Sequence, residues 1–143
     1  MNRTFLLAAA LATGGCDSIP SDPGGTAGRV SAERRFRVGV VASPGIPLEP
    51  DRARSLLERL SRATGARATL EPGAADPLLI RLEEGGLDLV IGEFAEKSPW
   101  STRVTFTEPI ALNGPVMLAA AARNGENDWI RLVHREARAA AAE

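Results

Sequence analysis

A run of charged and aromatic residues follows the most apolar strand-like segment of the chain. Residues 87–91 (LDLVI) lead into Gly92, and four residues shortly after it have side chains with binding chemistry. They are Glu93, Glu96, Trp100 and Arg103. A carboxylate can pair with a cationic ligand, an arginine can hold a carboxylate through two hydrogen bonds, and an indole ring can stack on a ligand. We therefore predict a ligand-binding surface in residues 92–103; the alternatives are solvated carboxylates, a tryptophan that covers the core edge and an outward arginine.

Catalytic motifs are absent from the sequence, so we predict that the protein is not an enzyme. His134 is the single histidine and Cys16 the single cysteine, which leaves no partner for a nucleophile or for a metal-binding cluster. Glu83 and Glu84 are adjacent near a predicted helix end and point to different faces, so they are no acid/base pair. We predict no cofactor and no metal. Lysine and arginine number 17 against 18 acidic residues, and this near-neutral balance gives no footprint for nucleic acid.

The first fifteen residues have the pattern of an export signal. Arg3 supplies a positive head, and residues 5–13 form an apolar run that is too short to span a bilayer. A pair of glycines then precedes Cys16, and this arrangement resembles a bacterial lipoprotein signal, in which the cysteine carries the lipid. Thr13 stands where the consensus has an aliphatic residue, so ordinary cleavage that leaves a free thiol is the alternative. The resemblance implies an exported, lipid-anchored protein of the periplasm or cell envelope.

Composition divides the remaining chain into a tether and one domain. Residues 16–35 are rich in Gly, Pro, Ser and Asp without apolar periodicity, which predicts a flexible tether. Residues 36–143 are long enough for one compact domain with a modest core, in a chain that is 44% hydrophobic.

Strand and helix patterns alternate along the predicted domain. Amphipathic spacing predicts one helix between Pro50 and Gly65 and a second between Asp76 and Gly85, with Asp76 as the N-cap of the second. Alternating or continuous apolar residues predict strands over residues 36–42, 66–71 and 87–92. Two helical crossovers between three strands predict a parallel sheet, and therefore an α/β fold.

Ligands of open α/β sheets bind outside the carboxyl ends of the strands. The loops after the first and third predicted strands, residues 43–49 and 92–100, are therefore the predicted functional surface, and they begin with Ser43 and Gly92. We expect Gly92 to let the backbone leave the strand and approach a ligand.

Four short motifs occur in the order and spacing of a known family. They are Val38-Gly39-Val40, Thr64-Gly65, the segment from Leu82 to Asp88, and Phe106-Thr107-Glu108-Pro109-Ile110. Over residues 36–110 the chain resembles the first lobe of the periplasmic solute-binding proteins of ABC importers, of the polar-amino-acid type. The resemblance implies a type II periplasmic-binding fold and a transporter as the partner.

The C-terminal segment resembles the last strand and closing helix of the same lobe. Residues 116–138 follow Pro115 directly, so everything that the family places in its second lobe is absent. We expect Asn127 to cap the closing helix and Trp129 to lie in its buried apolar stripe. The predicted fold is a single-lobe periplasmic-binding-protein-like domain: a parallel three-strand core with crossover helices, further strands and a C-terminal helix.

The chain departs from the family at the ligand-binding positions, so a standard amino-acid pocket is not encoded. The resemblance implies a threonine and an arginine after the third strand; Lys97 and Trp100 occupy these places, and Arg103 comes three residues later. Residues 43–49 lack the aromatic side chain that commonly stacks on the ligand. The resemblance therefore implies a substrate-binding-like domain with weak or altered affinity for a small solute. The alternative is a protein-interaction or assembly module whose partner is a membrane permease or another envelope protein.

Overall fold

The computed structural model describes residues 22–42 and 51–143, so the predicted export signal, Cys16 and Ser43 lie outside the described residues. The helices are α1 (Thr26–Glu33), α2 (Asp51–Thr64), α3 (Ala75–Glu83) and α4 (Asn127–Ala141), with a short 3-10 helix over Pro99–Thr102. The strands are β1 (Arg35–Val41), β2 (Arg67–Gly73), β3 (Leu89–Ala95), β4 (Val104–Phe106), β5 (Ala111–Asn113) and β6 (Val116–Arg123). This mixture confirms the predicted α/β class. None of the helices in the described ranges has both the length and the apolar character needed to cross a bilayer.

One six-stranded sheet organises the described chain. Its order is β2-β1-β3-β6-β4, and β5 pairs with β6. β1 pairs in parallel with β2 and with β3, which confirms the predicted three-strand parallel core. β6 runs antiparallel to β3, β4 and β5. We call the end of the sheet at which β1, β2 and β3 finish the carboxyl edge, and the end at which they begin the amino edge.

Two apolar layers cover the two faces of the sheet. The first joins α2 and α4 to the sheet around Phe36 and Trp129, whose rings meet edge to face with centroids 5.9 Å apart. The second lies under α3 and includes Val90 and Trp100. Trp129 is fully buried, and its Nε1 donates to the carbonyl oxygen of Asp88 at 2.7 Å. The prediction that the closing helix packs on the sheet is therefore confirmed.

The third parallel strand is displaced from its predicted position. β3 runs to Ala95, so Gly92 lies inside the strand and not at its end. A Cβ at Gly92 would stand 2.4 Å from the Cβ of Val41, which is closer than two side-chain carbons can approach. The expectation that Gly92 opens the backbone toward a ligand is therefore wrong: this glycine lets β1 and β3 pack side by side.

Both predicted helix caps are wrong. α3 begins at Ala75 with Ala74 in the N-cap position, and the carboxylate of Asp76 accepts a hydrogen bond from Trp100 Nε1 at 2.8 Å instead. α4 begins at Asn127, so this residue is already helical. The backbone amide of Asp128 donates to the carboxylate of Asp22 at 2.8 Å, which is a cap supplied from outside the helix.

Residues 22–35 are folded, so the predicted tether is wrong over this range. α1 buries Val30 completely against the first apolar layer. The carboxylate of Glu126 accepts from the amides of Gly24 at 2.6 Å and Thr26 at 2.9 Å, while Asp22 in turn caps α4. The starts of α1 and α4 thus cap each other across 100 residues of sequence. This pairing fixes a segment whose composition alone is that of a linker.

Asp88 joins three segments at the amino edge. Its side chain is 1% exposed and accepts from the Arg37 amide at 2.7 Å and from the Arg37 guanidinium at 2.9 and 3.2 Å. Arg29 of α1 also donates to it. The hydrogen bond with Asp88 raises the pKa of Arg37 above its usual value. One buried carboxylate therefore connects α1, β1 and the start of β3.

Candidate functional site

The carboxyl edge is the surface that the sheet topology offers to a ligand. β3 finishes there at Ala95, and the β5–β6 hairpin turns there through Gly114 and Pro115. Of the two predicted loops, residues 92–100 are described in full. The loop of residues 43–49 lies outside the described residues.

Glu93 is the half-buried carboxylate of this edge. It lies in β3 opposite Leu118 of β6, and the Asn113 side-chain amide donates to its Oε1 at 3.2 Å. Within the described ranges, its Oε2 accepts no hydrogen bond. A carboxylate oxygen can accept two hydrogen bonds, so Glu93 has capacity for a cationic donor.

Glu96 borders a separate shallow cavity of about 190 Å³. The cavity lies beside Met117, which packs in the second apolar layer, whereas Glu93 lies opposite Leu118 of the first layer. Glu93 and Glu96 therefore lie on different faces of the sheet. Leu112 of the hairpin also borders the cavity and is 75% exposed, more than Leu70 or Ile80, the other exposed large apolar side chains in the described ranges.

Trp100 is a core residue in this fold. It is 9% exposed and packs in the second apolar layer, while its indole donates to Asp76. Trp100 therefore covers the edge of the core, which was the alternative to a ligand-stacking role. Its ring packs in the second apolar layer under α3, and its Nε1 reaches the first turn of that helix.

Arg103 lies at the opposite edge from Glu93. It comes directly before β4, whose first residue, Val104, pairs with Arg123 at the end of β6. Since β6 is antiparallel to β3, the end of β6 is at the amino edge. Arg103 pairs with Glu83, with Nε 3.1 Å from Oε1, and its guanidinium lies 4.3 Å from the centre of the Trp100 ring. Hydrogen bonding to Glu83 raises the pKa of Arg103 above its usual value.

The predicted site residues are therefore only partly brought together. Gly92 and Glu93 lie near the carboxyl edge, Trp100 is in the core and Arg103 is at the amino edge. Sequence reasoning missed Leu112 and Asn113, which line the same edge as Glu93. The dipeptide Asn113-Gly114 is a common hairpin turn and could have identified them.

The single histidine lies on the closing helix. His134 lies half-buried on α4, and its Nε2 has no hydrogen-bond partner in the described chain. Burial, together with the charge of Arg138, lowers the pKa of His134, and Glu108 opposes this effect. Across residues 22–42 and 51–143, no group of three His, Cys, Asp or Glu side chains could hold a metal ion.

The basic face of α2 is partly engaged within the fold. Arg59 pairs with Glu136 of α4 at 3.3 Å and with Glu143 at 2.8 Å. Arg52 donates to the carbonyl oxygen of Ile110 at 3.1 Å. These contacts connect α2 to α4 and to the segment before β5.

No family model and no curated protein matches the chain. Solved structures match its fold. Domain 1 of TmArgBP in its arginine-bound form has a TM-score of 0.64 at 17% identity, and the match covers 78% of this chain and 97% of that one. A mutant of ArgBP from T. maritima has a TM-score of 0.65 at 10% identity, over 80% of this chain and 92% of that one. An ancestral cationic amino acid solute binding protein has a TM-score of 0.51 at 18% identity, over 60% and 41%.

These matches confirm the predicted resemblance at the level of the fold. The first of them spans nearly the whole of one domain, and the described sheet has the single-lobe organisation predicted from the missing second lobe. The chain therefore has the fold of a single lobe of a periplasmic amino-acid-binding protein.

Proposed function

We propose that the chain is a substrate-binding-like domain of a transporter-associated envelope lipoprotein, reduced to one lobe that binds its solute weakly. The observation that carries this proposal is Glu93, a half-buried carboxylate at the carboxyl edge with one oxygen that accepts no hydrogen bond from residues 22–42 and 51–143. Ligands of open α/β sheets bind at this edge. The proposed function involves no reaction, since binding and release require no catalytic group.

The chemistry of Glu93 favours a cationic solute. An ammonium or guanidinium group would pair with Oε2, and the Asn113 amide holds the carboxylate in place through Oε1. The arginine-bound form of domain 1 of TmArgBP supports the idea that one lobe of this fold can hold such a molecule. We therefore propose a cationic amino acid or amine as the solute class.

Weak affinity follows from the missing half of the site. A second lobe would cover the other side of the ligand, and without it water weakens each charged hydrogen bond. The guanidinium of Arg103, which could have held a ligand carboxylate, pairs with Glu83 at the amino edge. We expect a Kd of roughly millimolar, which corresponds to about 4 kcal/mol of binding free energy.

A titration followed by NMR tests this function. We expect arginine or lysine, added to about 10 mM, to shift the amide signals of β3 and β5, with glutamate as the negative control. Glu93→Gln should remove the shifts. Glu108→Gln is the matched control, since Glu108 is exposed and lies near Arg138 of α4. Shifts that persist in Glu93→Gln would exclude this site, and a rise in Tm with any common amino acid at about 100 µM would contradict weak binding.

The proposed anchor has its own test. Mass spectrometry of the protein purified from its native membrane should show a chain that begins at Cys16 and carries added acyl mass. An unmodified cysteine in the mature chain would exclude the anchor and would leave the solute-binding proposal intact.

A second function, a protein-interaction or assembly module, is supported by Leu112. This side chain is 75% exposed beside the cavity of about 190 Å³, at the β5–β6 hairpin. A photo-crosslinking residue at position 112 should then trap one envelope protein in cells, and the same residue at position 80, also an exposed apolar site, should not. Equal crosslinking at both positions would count against a specific partner.

A further inference from the structure

Four arginines meet at one corner of the amino edge, and we call them the arginine corner. They are Arg34, Arg35, Arg62 and Arg67. Arg34 follows α1, Arg35 begins β1, Arg67 begins β2, and Arg62 is in the last turn of α2. All four are exposed.

Two of these arginines lie directly side by side. Arg35 and Arg67 are register partners on the neighbouring parallel strands β1 and β2. Like charges in this position repel, and they weaken the strand pair unless an anion lies between them. The Arg67 amide donates to the Arg34 carbonyl oxygen at 3.0 Å, and the Arg34 guanidinium lies next to Gly65 at the end of α2. The backbone thus holds the corner together.

Acidic side chains neutralise little of this charge. Arg35 has a carboxylate oxygen of Glu33 at 3.8 Å. Across residues 22–42 and 51–143, Arg34, Arg62 and Arg67 have no carboxylate within 4.0 Å. Glu143 interacts electrostatically with Arg62 but makes its hydrogen bonds to Ser55 and Arg59. The other arginines at this edge differ: Arg103 pairs with Glu83 and Arg131 with Asp128.

An apolar groove begins beside the corner. It has a volume of about 400 Å³ and runs between α2 and β2, with Arg62 and Glu58 among its lining residues. Its apolar surface comes from Leu57, Ala68 and the 39%-exposed Leu70. A surface that combines guanidinium groups having few carboxylate neighbours among the described residues with an adjoining apolar groove matches an amphiphilic anion better than a small free one.

The corner lies at the edge where the chain joins the lobe. α1 runs along the amino edge, from its contact with Glu126 to Arg34 at the start of β1. Cys16 precedes Asp22 by six residues, which span at most about 21 Å when extended. A lipid on Cys16 would therefore keep Asp22, which caps α4 at this edge, within about 21 Å of the membrane surface.

We propose that the arginine corner binds the phosphate groups of anionic lipids at the membrane surface. Each guanidinium can donate two parallel hydrogen bonds to a phosphate, which makes arginine well suited to this contact. A phosphate between Arg35 and Arg67 would remove their mutual repulsion. This interaction goes beyond the proposed solute binding and does not require acylation of Cys16.

Vesicle binding of the full chain carrying Cys16→Ser tests the proposal without an acyl chain. One vesicle type is phosphatidylcholine, and the other is an equal mixture with phosphatidylglycerol. We expect binding to the anionic vesicles that falls about fivefold for each corner arginine removed, hence more than tenfold in Arg35→Gln/Arg67→Gln. Residues 1–15 are common to all variants, so the difference between variants isolates the corner.

The double variant Arg103→Gln/Arg131→Gln is the matched control, because it removes the same charge at the same edge. We expect it to retain most of the binding to anionic vesicles. An equal loss in both double variants would overturn the proposal, since net charge would then explain the binding.

Inorganic phosphate at constant ionic strength is the second arm of the test. If phosphate raises the Tm, Arg35→Gln/Arg67→Gln removes this rise, and the chain does not bind vesicles, the corner would be assigned to a soluble phosphate. That result would also overturn the proposal. Circular dichroism checks that each variant is folded, and arginine titration by NMR tests solute binding separately.

Discussion

Carboxylates at the two edges of the sheet differ in their burial and in the number of hydrogen bonds they accept. At the amino edge, the Asp88 side chain is 1% exposed and both its oxygens accept hydrogen bonds, and Glu126 is 2% exposed and accepts from two amides. At the carboxyl edge, Glu93 is half-buried and has a single hydrogen bond, from Asn113, within the described residues. The buried carboxylates of the amino edge join segments of the chain, whereas Glu93 at the carboxyl edge has one oxygen with no hydrogen bond from the described residues.

This difference separates stability from recognition. A buried carboxylate with several donors is costly to remove, because each donor loses its partner. A half-buried group with few partners and spare acceptors contributes less to folding and is free to bind a ligand. Substitutions of the buried carboxylates at the amino edge should therefore lower the free energy of unfolding, and substitutions at the carboxyl edge should change binding alone.

Trp129→Ala is expected to have the largest effect. The side chain is fully buried, packs edge to face on Phe36 and donates to the Asp88 carbonyl oxygen, so its loss leaves a cavity beneath α4. We expect the free energy of unfolding in urea to fall by about 3 to 5 kcal/mol. Trp129→Phe, which keeps a ring and loses the donor, should cost less. A loss below about 1 kcal/mol for Trp129→Ala would show that the closing helix is not docked.

Asp88→Ala should follow, because it releases α1, β1 and β3 together. The Arg37 amide loses a buried acceptor, while the Arg29 and Arg37 side chains, 29% and 33% exposed, can turn to water. We expect a loss of about 2 to 3 kcal/mol in urea unfolding. Asp88→Asn keeps the shape and one acceptor and should lose less. If both variants unfolded like the parent, the contrast between the two edges would fail.

The fold was predictable where local pattern and packing agree. The helices over Asp51–Thr64 and Ala75–Glu83 and the burial of Trp129 follow from apolar spacing, which tertiary contacts reinforce. α1 could not be predicted in this way. It has one buried apolar anchor, Val30, and depends on Glu126, which lies 100 residues from Thr26 in the sequence.

The site was less predictable because neighbours in sequence separate in space. Glu93 and Arg103 are ten residues apart, but the chain between them returns from the carboxyl edge to the amino edge before β4 begins. Net charge is a similar case. A formal net charge of −1 did not indicate the local cluster of positive charge in which Arg35 and Arg67 are register partners.

Acid should weaken the amino edge through Glu126. Burial acts to raise the pKa of this carboxyl, but the amides of Thr26 and Gly24 and the charge of Arg123 outweigh it, and the pKa is lowered. A carboxylate whose pKa is lower in the folded state stabilises the fold above its unfolded pKa, about 4.5, and this contribution is lost as the pH falls toward the folded value. We expect Glu126→Gln to cost about 1 to 2 kcal/mol at neutral pH and progressively less in acid. A cost that does not change with pH would show that the charge of Glu126 is not the cause. Asp22→Ala tests the other half of this pairing, the cap that Asp22 supplies to α4.

The smallest effect on stability is expected at the carboxyl edge, and it is the sharpest test of the contrast. Glu93→Gln keeps the size of the side chain and an acceptor for Asn113, and Leu112→Ser removes an apolar group that is 75% exposed. Neither change leaves a buried group without a partner, so we expect the free energy of unfolding to change by less than about 0.5 kcal/mol in each variant. Urea unfolding measures this change, and the NMR titration measures binding of arginine in the same samples. Glu93→Gln should lose arginine binding because its neutral amide cannot balance a cation, while Leu112→Ser should keep it. A loss of more than about 1 kcal/mol in either variant would show that the carboxyl edge also holds the fold together, and its free acceptor would then be no sign of function.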